Sequence, residues 1–143
     1  MKIFLDTSTL FKLYHKENDT ETIERIFSIN EITDVFLSEI ALIEFTSTVW
    51  KKVRTLQLNE LEAQKILARF ETDLYKYNFI QIDSIITEEA RNLITKYGKQ
   101  GLRILDSIQL STAVMLQYQS NLFVTSDKLL NSFFKQESLV TEL

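Results

Sequence analysis

Asp6, Glu44, Asp106 and Asp127 are four carboxylates that fall where apolar segments end or where helices open toward a cleft. Gathered at one point, such groups hold a divalent cation. Mg²⁺ and Mn²⁺ are oxygen-seeking ions bound by carboxylates and water, so neither a histidine nor a thiolate is required. The chemistry they support is metal-assisted hydrolysis, in which charge on a phosphate is neutralised and a water is made nucleophilic. Asp6 and Asp106 are expected as direct ligands. Asp127 and Glu44 complete the shell, hold waters or help deprotonate the attacking water, and the sequence does not apportion those roles. Thr7, Thr125 and Ser126 are hydroxyls placed to orient the carboxylates.

The elements that must position these groups follow from periodicity. Residues 2–5 read as a short buried strand that stops at Asp6, and residues 121–127 repeat the design with an apolar run, two hydroxyls and an acid. Ligands of open parallel α/β sheets bind beyond the carboxyl ends of strands, which is where both acids fall. Helices are expected over residues 10–14 and 20–29, then a strand over 34–37. Ser38 caps a helix to about residue 55 with Leu42, Phe45, Val49 and Val53 on its buried stripe. Glu44 lies off that stripe among small and polar neighbours, and Glu39 is the substitute if Glu44 is turned away. Asn59 and Glu62 form a capping pair for a helix to about residue 76, followed by a strand at 79–82.

A helix from Asp83 or Ser84 should end at a left-handed Gly98. The helix over residues 102–118 carries Asp106 in its first turn and presents Leu105, Ile108, Thr112 and Met115 on one side. A helix from Asp127 to about residue 134 and an edge strand over 139–143 complete the chain. Alternating strands and helices predict an α/β fold, a parallel sheet of four to five strands with helices on both faces.

The length, 143 residues without a proline or a linker, suits one domain spanning residues 1–143. No apolar run approaches the roughly 18 residues needed to span a bilayer, so no membrane association is expected. The first residues resemble neither a signal nor a transit peptide, and the absence of cysteine fits a reducing compartment; the expected location is cytoplasmic. A net charge of −4 argues against indiscriminate coating of nucleic acid. It is compatible with a nuclease whose acids are concentrated in one site and whose bases, such as Lys51, Lys52 and Arg54, are gathered elsewhere; that run is read as a solvated helix end, with a phosphate track leading to Glu44 as the alternative. Phe11, Tyr14, Phe27 and Phe45 are read as core or partner surface, not as a base-stacking platform.

In Phe4-Leu5-Asp6-Thr7-Ser8, Ser38 through Glu44-Phe45, the run from Gly101 to Ala113 around Asp106, and Thr125-Ser126-Asp127, the chain resembles the PIN domain. In length and local wording it is similar to the VapC-type ribonuclease toxins of toxin–antitoxin pairs. The resemblance covers essentially the whole chain. It implies a three-layer α/β/α domain whose acids, here Asp6, Glu44, Asp106 and Asp127, bind Mg²⁺ or Mn²⁺ for endoribonuclease activity on RNA. It also implies a homodimer and a small cognate antitoxin protein that occupies the active-site groove. Gln109 departs from the histidine often found at its place, which lies outside the carboxylate set. A phosphatase of the haloacid-dehalogenase type also begins with an aspartate after its first strand, but needs a second acid where Ser8 stands. The alternative outside enzymology is a non-catalytic module of the same fold that binds RNA or docks a protein.

Overall fold

The computed structural model describes residues 1–141. Four strands form one parallel sheet in the order β3-β2-β1-β4: β1 (Lys2–Leu5), β2 (Asp34–Ser38), β3 (Tyr77–Ile80) and β4 (Leu122–Val124). Alternate side chains of β1 enter opposite layers because successive residues of a strand point to opposite faces. Ile3 and Leu5 join one core and Phe4 the other, and none of the three is exposed.

The first layer is built from α1 (Thr7–Phe11), α2 (Thr20–Ile29), α3 (Ile40–Arg54) and α4 (Glu60–Asp73). It packs Leu10, Phe11, Ile23, Ile26, Phe45 and Phe70 against Ile3, Leu5, Val35 and Leu37. The second layer holds α5 (Ser84–Tyr97), α6 (Ile104–Met115) and α7 (Lys128–Gln136), with Leu93, Leu110, Phe133 and Phe134 against Phe4 and Phe123. The result is the expected α/β/α sandwich.

Several boundaries and faces differ from the sequence reading. The first helix begins at Thr7, directly after Asp6, because the Asp6 carboxylate accepts from the Thr9 amide at 3.0 Å and caps it. The third strand starts two residues earlier than expected, since Tyr77 pairs with Val35 on the neighbouring strand. In α3 the buried stripe is Ala41, Phe45 and Val49, while Leu42 is 36% exposed. Gly98 is right-handed and opens a short 3₁₀ turn to Gln100; the left-handed residue is Gly101, at φ 99°.

The largest correction concerns α6. Its buried residues are Ser107, Gln109, Leu110, Ser111, Thr112 and Ala113, whereas Leu105 and Met115 are exposed. Small and polar side chains let this helix lie close under the cleft. Their hydroxyls return to helical carbonyls, as Ser111 and Thr112 do to Ile108, so burial leaves no unmet donor there. The expected last strand lies partly outside the described residues. Residues 139–141 form no strand, although the Val140 carbonyl accepts from the Phe123 amide at 2.8 Å.

The Asn59 and Glu62 pair forms a full capping box: each side chain takes the other residue's backbone amide, at 2.8 and 3.3 Å. Asn59→Ala removes one acceptor from the first turn of α4 and is expected to cost about 1 kcal/mol of folding stability, read as a lower urea midpoint at unchanged slope. An unchanged midpoint would mean that water replaces the cap without loss.

Candidate active site

Strand order creates the site. From β1 the chain crosses to β2 on one side, and β4 returns to β1 on the other, so the sheet reverses direction of winding between β1 and β4. A crevice opens outside the carboxyl ends of strands at such a switch point. Leu5 pairs with Val124 there, which sets Asp6 beside Thr125, and the Asp6 amide donates to the Val124 carbonyl at 3.3 Å.

The crevice is a cleft of about 420 Å³ lined by Asp6, Thr7, Ser8, Glu44, Asp106, Gln109, Ser126 and Asp127, with Phe11, Lys12, Glu17, Thr48 and Lys52 along its side. All four acids singled out by the sequence face this cleft. Glu39 does not: its carboxylate accepts from the Ile82 amide at 3.0 Å. Of the basic run at the end of α3, Lys52 lines the cleft and Lys51 and Arg54 do not.

Asp6 is buried and saturated with donors. Ser8 Oγ donates to its two oxygens at 2.9 and 2.8 Å, Thr125 Oγ1 at 2.6 Å and the Thr9 amide at 3.0 Å. Burial nevertheless raises its pKa above the ordinary aspartate value, against the lowering effect of those bonds. Glu44 is fixed by Thr7 Oγ1 at 2.9 Å and Gln109 Nε2 at 2.8 Å. Burial, with repulsion from Asp6 and Asp106, pushes its pKa up while the two hydrogen bonds pull it down. Asp106 is raised by burial and by the charges of Asp127 and Asp6, with Arg103 acting the other way. Asp127 caps α7, accepting from the Leu130 amide at 2.7 Å, and its own amide donates to Thr125.

Thr7 and Thr125 hydrogen-bond carboxylates, whereas Ser126 does not. Its hydroxyl lies 3.3 Å from Thr9 Oγ1, which keeps it on the cleft wall without touching an acid. Two residues escaped the sequence reading. Ser8 was legible only as a missing acid, yet it bridges both oxygens of Asp6. Gln109 lies three positions after Asp106, so helical spacing already put it on the same face. Its Nε2 also reaches Thr7 Oγ1 at 3.0 Å, and its Oε1 is buried with no partner among the described residues.

The donor set suits a hard divalent cation in type and charge. Every candidate donor is a carboxylate or hydroxyl oxygen, and the ion pairs among the described residues include none of the four acids. The buried orphan oxygen of Gln109 also fits a site completed by a polar ligand. Convergence is incomplete: among the described residues no three histidine, aspartate or glutamate side chains stand close enough to share one ion. Asp6 and Glu44 are turned onto their hydroxyls and Asp127 onto its helix, so the acids share a cleft without forming a preset coordination sphere.

The PIN domain family model matches residues 3–133. This chain belongs to the PIN domain family. No curated protein matches it in sequence. Among solved structures, this PIN domain is similar to FitAcB from Neisseria gonorrhoeae, at 19% identity and a TM-score of 0.71 over 97% of this chain and 95% of that one. It is also similar to VapC20 of Mycobacterium tuberculosis, a sarcin–ricin-loop-cleaving toxin, at 15% identity and 0.67 over 91% and 93%. VapBC2 from Rickettsia felis, bound to a DNA fragment from its promoter, matches at 19% and 0.67 over 99% and 98%. At these identities the likeness is one of fold, and it runs nearly end to end.

The raised pKa values make stability depend on pH. Asp6, Glu44 and Asp106 bind protons more tightly folded than unfolded, where their ordinary values are 3.8 and 4.5. From those values upward to the raised folded ones the native state holds more protons, so stability falls as pH rises through that window. In EDTA the melting temperature of this PIN domain is expected to rise as pH is lowered from neutral toward the ordinary carboxylate values. Further acidification reverses the gain, because Asp73 and Glu137 have lowered pKa values and lose their stabilising pairs on protonation. A flat profile over that range would show that the cleft acids are better solvated than their burial indicates.

Proposed function

We propose that this PIN domain is a Mg²⁺- or Mn²⁺-dependent endoribonuclease and the toxin of a toxin–antitoxin pair. The observation that supports it most is the meeting of Asp6, Glu44, Asp106 and Asp127 on one cleft at the switch point of the sheet, with no ion pair among the described residues to offset them. Asp6 and Asp106 would be the direct ligands. A divalent cation there supplies neutralisation of the scissile phosphate and a lowered pKa for the attacking water.

The protein's own groups do the rest. Ser8 and Thr125 hold the Asp6 carboxylate in one rotamer at the cleft wall. Thr7 and Gln109 fix Glu44 at the opposite wall, positioned to accept a proton or to hold a water. Asp106 makes no hydrogen bond to the described residues and is free to turn inward, and Asp127 can do so by giving up its helix cap.

The toxin reading draws on relatives that are toxins or toxin–antitoxin complexes. Beside the acids lies a more apolar hollow of about 590 Å³, lined by Ile94, Leu102, Ile104 and Leu105 with Glu44, Arg103 and Asp106 at its edge. An antitoxin segment with apolar side chains and a basic group would fill this hollow and cover the acids. Exposed Ile43 and Met115, outside that hollow, offer apolar surface for a homodimer. The absence of cysteine and of any helix among the described residues long enough to cross a membrane is consistent with action in the cytosol.

The test is incubation of antitoxin-free protein with total bacterial RNA and Mg²⁺ or Mn²⁺, beside EDTA and Asp106→Asn controls, with new ends mapped. Discrete cuts missing from both controls are expected. Binding without cutting across the RNA pool would favour a non-catalytic module instead.

A further inference from the structure

The acid cleft has a cationic side that the acids do not use. Among its described lining residues only Lys12 and Lys52 are positively charged, against Asp6, Glu17, Glu44, Asp106 and Asp127. An RNA strand drawn into such a cleft needs cations for its phosphates, since backbone neutralisation supplies most of the affinity. The two lysines are deeply set, with side chains 7% and 18% exposed. Lysines so placed normally answer a carboxylate nearby. Neither pairs with Asp6, Glu44, Asp106 or Asp127, and no lysine is among the causes that shift Asp6, Glu44 or Asp106.

Both lysines are held instead by the connection between α1 and α2. Lys52 Nζ is 2.7 Å from Glu17 Oε1 and 3.0 Å from Gln57 Oε1, with the Phe11 ring 5.4 Å away. Lys12 Nζ is 3.4 Å from Asp19 Oδ2, and Asp19 is 70% exposed. Asp19 occupies the N-cap position of α2 but makes no capping bond with its side chain, so its carboxylate has no local structural duty there. Lys12, Glu17 and Lys52 also line a second hollow of about 390 Å³ together with His15 and Lys16, so the basic wall runs from the acids out to the surface.

We propose that Lys12 and Lys52 form a subsite for an RNA backbone phosphate beside the bond that is cut, and that Glu17 and Asp19 hold the two ammonium groups until that phosphate displaces them. The inference rests on the nuclease reading above. Exposed ion pairs contribute little, so trading the Asp19 carboxylate for a phosphate costs little. The buried stems of the lysines keep the ammonium groups in place while the partner changes.

A labelled single-stranded RNA of about 12 nucleotides, a length that spans a groove of this type, is titrated by fluorescence anisotropy with Mg²⁺ against the Asp106→Asn chain, which retains both lysines. Added to that parent, Lys52→Gln is expected to weaken binding several-fold and to reduce the slope of log affinity against log salt by about 0.7, the signature of one lost phosphate contact on a single strand. Glu17→Gln is expected to tighten binding at low salt, and Lys52→Arg to restore it. Lys51→Gln, exposed and outside the cleft, controls for net charge and should leave the slope unchanged. A purely structural Lys52 would lower the melting temperature without moving the salt slope. Equal affinities and slopes for parent, Lys52→Gln and Glu17→Gln would overturn the subsite, as would no measurable binding by the parent. Failure of the nuclease reading is seen separately, as absence of metal-dependent cutting by the wild-type chain.

Discussion

Asp6→Asn is expected to reduce metal-dependent RNA cleavage by on the order of a thousandfold, the upper end of what loss of a single electrostatic partner costs, without lowering the melting temperature. The two halves of this result have one cause. Asp6 is 4% exposed and its charge is penalised by burial more than its hydrogen bonds repay. An amide keeps an oxygen for the Thr9 amide and the Ser8 hydroxyl, while Thr125 must rotate to accept instead of donate. What the amide lacks is the negative charge that a cation needs. A variant that cuts as well as wild type would remove Asp6 from the metal site. A fall in melting temperature of more than about 4 °C, roughly 1 kcal/mol for a domain of this size, would mean that the bonds donated by Ser8 and Thr125 stabilise the carboxylate more than burial penalises it.

Phe45→Ala should produce the largest loss of stability, about 3–5 kcal/mol, through a cavity that a packed aromatic cluster cannot close. Phe45 is fully buried and stacks on Phe70 with ring centroids 4.0 Å apart, and Tyr14 meets the two rings edge-on at 5.3 and 5.7 Å. The cluster joins the end of α1 to α3 and α4, and Tyr14 extends it by donating to Asp73 at 2.8 Å. Because Phe45 follows Glu44 directly, the same packing sets the rotation of α3 that turns Glu44 toward Thr7 and Gln109. Urea unfolding reads the stability loss, and Phe45→Leu, which refills most of the volume, should recover more than half of it. A loss under about 1 kcal/mol would show that α3 is held by Ala41 and Val49 alone.

The acids were readable from the sequence because a parallel sheet makes strand ends into site positions. Asp6 follows an apolar run directly and Asp127 follows one after two hydroxyls, and the strands that carry these signals, β1 and β4, lie side by side. Glu44 was readable by subtraction, as the acid of α3 that is not in the first turn. Asp106 was readable from its place in the first turn of its helix. The opposed burial of Ile3 and Leu5 against Phe4 likewise follows from strand period alone.

The face of α6 was not readable. Hydrophobic periodicity selected Leu105, Ile108, Thr112 and Met115; Thr112 is buried, but Leu105 and Met115 are exposed and the helix buries Ser107, Gln109 and Ser111 as well, because hydroxyls that bond back to their own helix can be packed closely at small cost. Leu105 is left facing the apolar hollow beside the site. Gln109 gained its part only when α6 was laid against α1 and α3, which brought its amide to Thr7 and Glu44 across 102 and 65 residues of sequence.

The sequence by itself determined the layers, the parallel sheet and the four carboxylates, since each is written in local pattern: strand period, helix period and an acid where a strand stops. Only the tertiary structure decided which hydroxyls grip Asp6, that Asp127 spends its carboxylate on a helix cap, and that Lys12 and Lys52 are paired away from the acids they sit beside. Those choices depend on which side chains meet across distant segments, and neither spacing nor composition records a distance of that kind.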